Sequence, residues 1–191
     1  RGFDYGIDFQ GGRTYTVRFD NDVKVADVQN ALTAVYESAP EVKTFGASNQ
    51  VKVTTTYKIE DLTDTVDDEV EQLLFKGLSD GGFLTGVSFE DFISKHRMSS
   101  QKVGPTISDD IKKDAVIAIF FALLVIFLYI FVRFADWQYG LGGVVALAHD
   151  SIITLGMFSI FWGILPFSLE IDQAFIAAIL TIIGFSINDT V

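Results

Sequence analysis

Two kinds of hydrophobic pattern divide this chain near residue 110. Before that point apolar residues recur at short periods among charges. Tyr15, Val17 and Phe19 alternate with polar neighbours, the period of a half-buried strand, while Val25, Val28, Leu32 and Val35 recur at helical spacing. A short strand is predicted near 42–45 and a clearer one over 50–57, separated by Gly46-Ala47-Ser48-Asn49, a turn composition. Residues 67–78 read as a helix whose leading carboxylates suit its N-terminus, and 98–103, ahead of Gly104-Pro105, as a last strand. The order βαββαβ predicts an α+β, ferredoxin-like domain over residues 1–110, with 79–97 as an insertion. A stretch of that length suffices for one hydrophobic core.

Beyond residue 110 the alternation disappears. Residues 115–132 are uncharged and precede Arg133, close to the roughly 20 residues that a helix needs to cross about 30 Å of hydrocarbon. Residues 139–167 are interrupted only by His149 and Asp150, and 173–191 have the length of a further span. The region 111–191 therefore predicts α-helical transmembrane spans near 115–134, 140–165 and 173–191, with links short enough to make neighbours antiparallel. Arg133 in the first link, against Glu170 and Asp172 in the second, places the first link in the cytoplasm by the positive-inside rule, while Lys112 and Lys113 argue the other way. The chain opens on Arg1 and ends at Val191 inside an apolar run, as a fragment of a longer protein would.

Charge follows the same division. The net charge is −11, yet residues 115–191 hold one Arg and five carboxylates. An acidic chain without a Lys/Arg cluster has little to offer a phosphate backbone, so nucleic acid is not an expected partner. There is no Cys, and His96 and His149 lie in different halves, so neither a metal site nor a cofactor is expected. No activated nucleophile or metal set points to an enzyme. The glycines of GIDFQGG at 6–12 do not form a phosphate-loop motif; they suit positive φ and close packing where the chain enters its first strand. Asp4 and Asp8 read as exposed turn or strand-end carboxylates. The cluster Asp61, Asp64, Asp67, Asp68, Glu69 and Glu71 lacks the order of a calcium loop and reads as a solvated helix face.

The informative residues are the acids within the apolar runs. A charged Asp at mid-bilayer costs about 2.5–3.5 kcal/mol on insertion scales, so it is turned towards protein or a wet cavity. Asp150 and Asp189 lie at similar distances from the second link and so at similar depth on neighbouring helices. Each continues a stripe at three to four residue spacing: Gly143, Ala146, Asp150 and Thr154 on one helix, Ala178, Thr181, Phe185 and Asp189 on the other. Such a carboxyl can exchange a proton as its surroundings change, which makes Asp189 the first candidate for a proton relay and Asp150 the second. The alternative for either is a hydrogen bond that only fixes packing. His149 is about 100° of helix from Asp150, so the two are not expected to face one point.

Several segments together resemble one family. GIDFQGG at 6–12, VGPTIS at 103–108, YIFVRF at 129–134, the His149-Asp150 pair within GVVALAHDSIITLG, and AAILTIIGFSINDTV at 177–191 are similar to SecF and to the SecF half of fused SecDF proteins, of the resistance-nodulation-division superfamily. The resemblance implies an accessory subunit of the Sec translocase that uses the proton-motive force to assist preprotein export across the cytoplasmic membrane. The partners it implies are a SecD half or subunit, the Sec translocon channel, unfolded preprotein and the lipid bilayer. Asp189 then matches the family's intramembrane proton-relay carboxylate, and residues 1–110 its periplasmic or extracellular domain. An Arg expected on the helix after Asp189 and a matching SecD carboxylate lie outside this sequence. A scaffold that stabilises the translocase, or an exporter of small molecules or lipids, are the alternatives.

Overall fold

The computed structural model describes residues 2–36, 38–61, 63–134, 136–162, 164 and 169–190, with Asp189 and Thr190 described by backbone alone. The chain divides into two compact units, one built mainly from residues 10–108 and one from residues 1–9, 109–164 and 169–191.

In the first unit, β1 (Gly12–Arg18), α2 (Val25–Thr33), β2 (Glu41–Phe45), β3 (Ala47–Thr55), α3 (Asp64–Asp80) and β4 (Arg97–Val103) follow one another; the short α1 (Ile7–Gln10) precedes them. The four strands form one antiparallel sheet in the order β2-β3-β1-β4. Alternation puts Tyr15 and Val17 of β1 and Val51 and Val53 of β3 on one face, and Phe19 follows them inward. That face meets Val28 and Leu32 of α2 and Val70, Leu74 and Leu78 of α3, a four-residue repeat on each helix, to make a closed core. Gly77 lets the two helices approach, since a Cβ there would stand 2.7 Å from Val35 Cγ2. The turn between β2 and β3 is tighter than its composition suggests: Gly46, at φ +73°, makes the reversal, and β3 already begins at Ala47.

Residues 79–97, expected as an insertion, contribute to the core. Leu84 and Phe92 are core residues, Phe83 packs its ring 5.8 Å from that of Phe19, and Phe75 stands 5.5 Å from both Phe89 and Phe92. The segment holds α4 (Phe89–Asp91), capped by the Ser88 hydroxyl on the Asp91 N–H, and a π-helical turn, Phe92–His96, that leads directly into β4. Aromatic residues at irregular spacing carry no period, which is why this part of the core was invisible in the pattern.

The second unit contains α5 (Pro105–Phe134), α6 (Trp137–Phe161) and α7 (Gln173–Thr190). Helix α5 starts ten residues ahead of its apolar run, with Pro105 in the first turn, where its missing N–H costs nothing. Gly140 and Gly143 of α6 seat Phe127 and Ile130 of α5. On α7 the packing stripe is Phe175, Ile179 and Ile183, continued by Ile187, and the Phe175 ring meets Phe158 of α6 at 4.5 Å. This corrects the stripe expected on α7: Ala178, Thr181 and Phe185 are exposed, Phe185 to 72%. Large side chains every fourth residue fill the space beside α6 better than the small ones do. On α6 the expected stripe does turn inward, with Gly143 buried and Ala146, Asp150 and Thr154 half-buried.

Two helices, Pro105–Phe134 and Trp137–Phe161, are long and apolar enough to cross a membrane; the apolar stretch Gln173–Asn188 is shorter. Their outer surfaces carry Val116, Phe120, Val125 and Val132 on α5 and Val145 and Ile152 on α6, all more than half exposed. Apolar area of that extent on exposed helices is characteristic of contact with lipid or with further protein, and distinguishes them from the core helices of a soluble domain.

Candidate functional site

Asp150 occupies the middle of α6 and faces α7. Its Oδ2 accepts a hydrogen bond of 2.5 Å from the Ser186 hydroxyl, and its Oδ1 lies 3.3 Å from His149 Nδ1. The two side chains meet at that distance although their positions are about 100° apart on the helix. Ser151 and Thr154 donate to the carbonyls of Leu147 and Asp150 in their own helix, which satisfies their hydroxyls without a second helix. Asp150 thus bonds α6 to α7 through Ser186, beside a packing surface of Leu147, Phe175, Ile179 and Ile183.

Asp189 lies in α7, three residues or about 4.5 Å of helix beyond Ser186; its side chain is outside the described residues. Ser186 escaped the sequence reading. Its signal was faint, a single hydroxyl in FSIND three residues ahead of the acid.

A second cluster organises the start of α7. Tyr5 and Ile171 form a parallel bridge, Gly6 N–H donates to the Ile171 carbonyl at 3.0 Å, and Ile171 N–H donates to the Asp4 carbonyl at 2.7 Å. Gly6 eases this approach: a Cβ would stand 3.1 Å from Asp172 Cβ, closer than an ordinary contact. Asp172 accepts from Phe175 N–H at 2.7 Å, and Asp8 reaches in from the N-terminal segment to accept from Gln173 N–H at 2.9 Å. Two free amides of the first turn of α7 are therefore capped by carboxylates, the groups that the helix dipole favours there. Asp4 and Asp8 are not simply the exposed turn or strand-end carboxylates expected: Asp4 is buried and Asp8 is a cap. Phe9 completes the junction by packing with Phe175 and Ile179.

In the α+β unit, the acidic helix face is not simply solvated either. Arg13, 1% exposed, donates to Asp67 Oδ1 at 2.7 Å and to the carbonyls of Tyr57, Lys58 and Asp61; Lys102 pairs with the other oxygen of Asp67. Partial burial by itself would raise the Asp67 carboxyl, but hydrogen bonds from Lys102 and Arg13 outweigh it and hold the group below the usual range. Glu71, also buried, receives Arg97 at 2.5 Å. Burial, reinforced by the Glu71 charge, pushes the Tyr15 phenol up to about 12. These are structural interactions on the helix-covered face of the sheet.

An α+β unit is joined to two helices long and apolar enough to cross a membrane, with the Asp150 carboxylate bonded between α6 and α7. Residues 86–191, more than half of the chain, match the family described as protein export membrane protein SecD/SecF, C-terminal, and residues 1–23 match the SecD/SecF GG motif; the chain belongs to the SecD/SecF family. It is 40% identical to the protein translocase subunit SecF of Rhodothermus marinus over the whole chain and 57% of that protein. It is 32% identical to SecF of Vibrio alginolyticus, covering 98% of the chain and 53% of the relative. The crystal structure of SecDF, a translocon-associated membrane protein from Thermus thermophilus, superposes with a TM-score of 0.72 at 31% identity, covering 98% of this chain and 22% of that one. The chain thus spans little more than half the length of these SecF relatives.

Proposed function

We propose that this chain forms the central part of a SecF subunit, or of the SecF half of a SecDF protein, which assists the Sec translocase in exporting preproteins and draws on the proton-motive force to do so. Residues 1–110 form a ferredoxin-like domain on the periplasmic or extracellular side of the cytoplasmic membrane; the strand order β2-β3-β1-β4 with two crossover helices supports that topology. The spans lie near 115–134, 140–165 and 173–191. A SecD half or subunit, the translocon channel, unfolded preprotein and the bilayer are its partners. The work is conformational, with no covalent chemistry.

Asp189 is the principal proton carrier and Asp150 the second. The observation that carries this reading is the Asp150 carboxylate held across the α6–α7 surface by Ser186, one helical turn from Asp189. Protonation removes the charge from a carboxylate and turns an acceptor into a donor, so it alters the bond that joins the two helices. Because α7 begins on the capped junction with residues 4–9, which continue into β1, a shift of α7 acts on the segment leading to the exported side. Asp189→Asn in the full-length protein is expected to abolish the gradient-dependent part of preprotein export. Export that keeps its full gradient dependence refutes the relay, and would leave a scaffold role, in which deleting residues 10–105 impairs assembly of the translocase.

A further inference from the structure

The α+β unit carries a cleft of about 340 Å³ that has no part in the contact between the apolar helices. Its floor is apolar: Phe19, just past β1, and Phe83, with ring centroids 5.8 Å apart, and Val23 beside them. One wall is the loop after Phe19, which β3 pins in place. Phe19 N–H donates to the Asn49 carbonyl and the Asn49 amide donates back to the Phe19 carbonyl, both at 2.8 Å. Ser48 donates its hydroxyl to Asp22 at 2.6 Å, and its carbonyl accepts from Val23 N–H at 3.2 Å. The other wall is the turn that ends α3, where Gly82, at φ +78°, and Phe83 donate their N–H groups to the carbonyls of Ser79 and Leu78, both at 3.0 Å. A Cβ on Gly82 would meet nothing within 4 Å, so this wall leaves the mouth open. Walls held by backbone bonds on both sides are preorganised and lose little freedom when a ligand enters.

The rim decides the ligand. Asn21, Asp22, Lys24 and Asp27 line it, and all four are exposed. Lys24 and Asp27 are three residues apart, the spacing at which Lys112 pairs with Asp109, yet they do not pair; among the described residues neither side chain makes a hydrogen bond or an ion pair. Two carboxylates against one ammonium disfavour an anion. The volume stands at the low end of the range of about 300–1,000 Å³ typical of ligand pockets, room for a side chain or two. An aromatic floor takes an apolar side chain, while donors and acceptors side by side on the rim match the mixed polarity of peptide groups and a neighbouring cation. We propose that this cleft seats an extended segment of unfolded polypeptide in which an apolar side chain stands next to a basic one. The apolar side chain lies over Phe19 and Phe83, and the basic one meets Asp22 and Asp27. The inference rests on the export function proposed above and gives the α+β unit a particular contact for preprotein. The cleft opens at the end of β1 remote from Gly12 and Val103, where the chain enters and leaves the sheet; at about 3.3 Å per residue, β1 carries it roughly 20 Å from them.

The test uses the full-length protein in lipid nanodiscs, with Asn21→Cys as its one cysteine, labelled with benzophenone maleimide; residues 1–191 contain no other. The probe is a biotinylated, unstructured peptide of alternating Leu, Ser and Lys, and a second peptide has Glu in place of Lys. On illumination the Lys peptide is expected to cross-link at least tenfold more at position 21 than at Asp68→Cys, an exposed position near the start of α3, and at least fivefold more than the Glu peptide does. Asp22→Asn combined with Asp27→Asn removes both charges and leaves an acceptor for Ser48; it is expected to lower the Lys-peptide yield at least fivefold. Equal yields at the two positions, or from the two peptides, overturn the inference, and so does a yield that the double variant leaves unaltered. The comparison of peptides needs no change in the carboxylates and decides alone if the double variant fails to accumulate. Absence of charge-selective cross-linking, with gradient-dependent export still abolished by Asp189→Asn, refutes the cleft and leaves the export reading standing. Charge-selective cross-linking with full gradient dependence in Asp189→Asn removes the relay and upholds the cleft.

Discussion

Replacing Arg13 with Ala should be the most damaging single change in the α+β unit. The guanidinium is 1% exposed and makes four directed contacts: Nε to Asp67 at 2.7 Å and the terminal nitrogens to the carbonyls of Tyr57 at 3.1 Å, Lys58 at 3.4 Å and Asp61 at 2.9 Å. Truncation orphans those carbonyls, each worth about 1–3 kcal/mol if it stays dry, and strips a carboxylate of one of its two cations. Breaking a buried pair from one side costs about 3–5 kcal/mol. Asp67 is partly solvated and keeps Lys102, so the lower end, about 3 kcal/mol, is expected. Asp67→Ala should cost less, because Arg13 retains its carbonyls. Hydrogen exchange on the full-length protein reads this directly: amides of β3 and α3 should lose roughly 100-fold in protection with Arg13→Ala, by the factor of ten that accompanies each 1.4 kcal/mol. The sign of the pH dependence follows from Asp67, whose folded carboxyl is held down. Its contribution is complete above the ordinary carboxylate value near 4 and is lost as pH falls through the lower folded value, so Arg13→Ala should flatten the acid limb of stability. A change below about 1 kcal/mol, or an unaltered acid limb, would refute the account of this network.

Three further outcomes are expected. Asp8→Ala and Asp172→Ala should each cost about 1 kcal/mol and speed amide exchange in the first turn of α7 about fivefold, with non-additive effects in the double variant because both caps hold one turn. Gly143→Leu should lower the unfolding midpoint of the solubilised protein through an overpacking cost of about 1–3 kcal/mol, since even a Cβ there stands 2.9 Å from Ile130 Cδ1, whereas Gly142→Leu, with nothing within 4 Å, should not. In a spectrophotometric titration Tyr15 should ionise only near pH 12 and Tyr36 higher still, burial being the main cause in both. Because the unfolded phenols ionise near 10, stability should decline as pH rises from there. Coincident ionisation of all six tyrosines near pH 10 would contradict the buried placement.

Periodicity in the chain was enough to locate every strand of the sheet to within a few residues, both of its long helices and the three apolar helices, because those features arise from which side of an element must leave water. It was enough, too, to single out Asp150 and Asp189, since an acid in an apolar run is conspicuous whatever surrounds it. Packing partners obeyed no such rule. Phe83, Phe89 and Phe92 joined the core without a period, and the face of α7 that meets α6 proved to be Phe175, Ile179 and Ile183 in place of the smaller residues. Contacts between residues far apart in the chain were equally hidden: Asp8 capping Gln173, Arg13 holding Asp67, and Ser186 meeting Asp150 across 36 positions. A linear pattern records each residue's preference for water or oil, whereas a hydrogen bond between distant segments depends on where two backbones converge, which is settled only when the whole core closes.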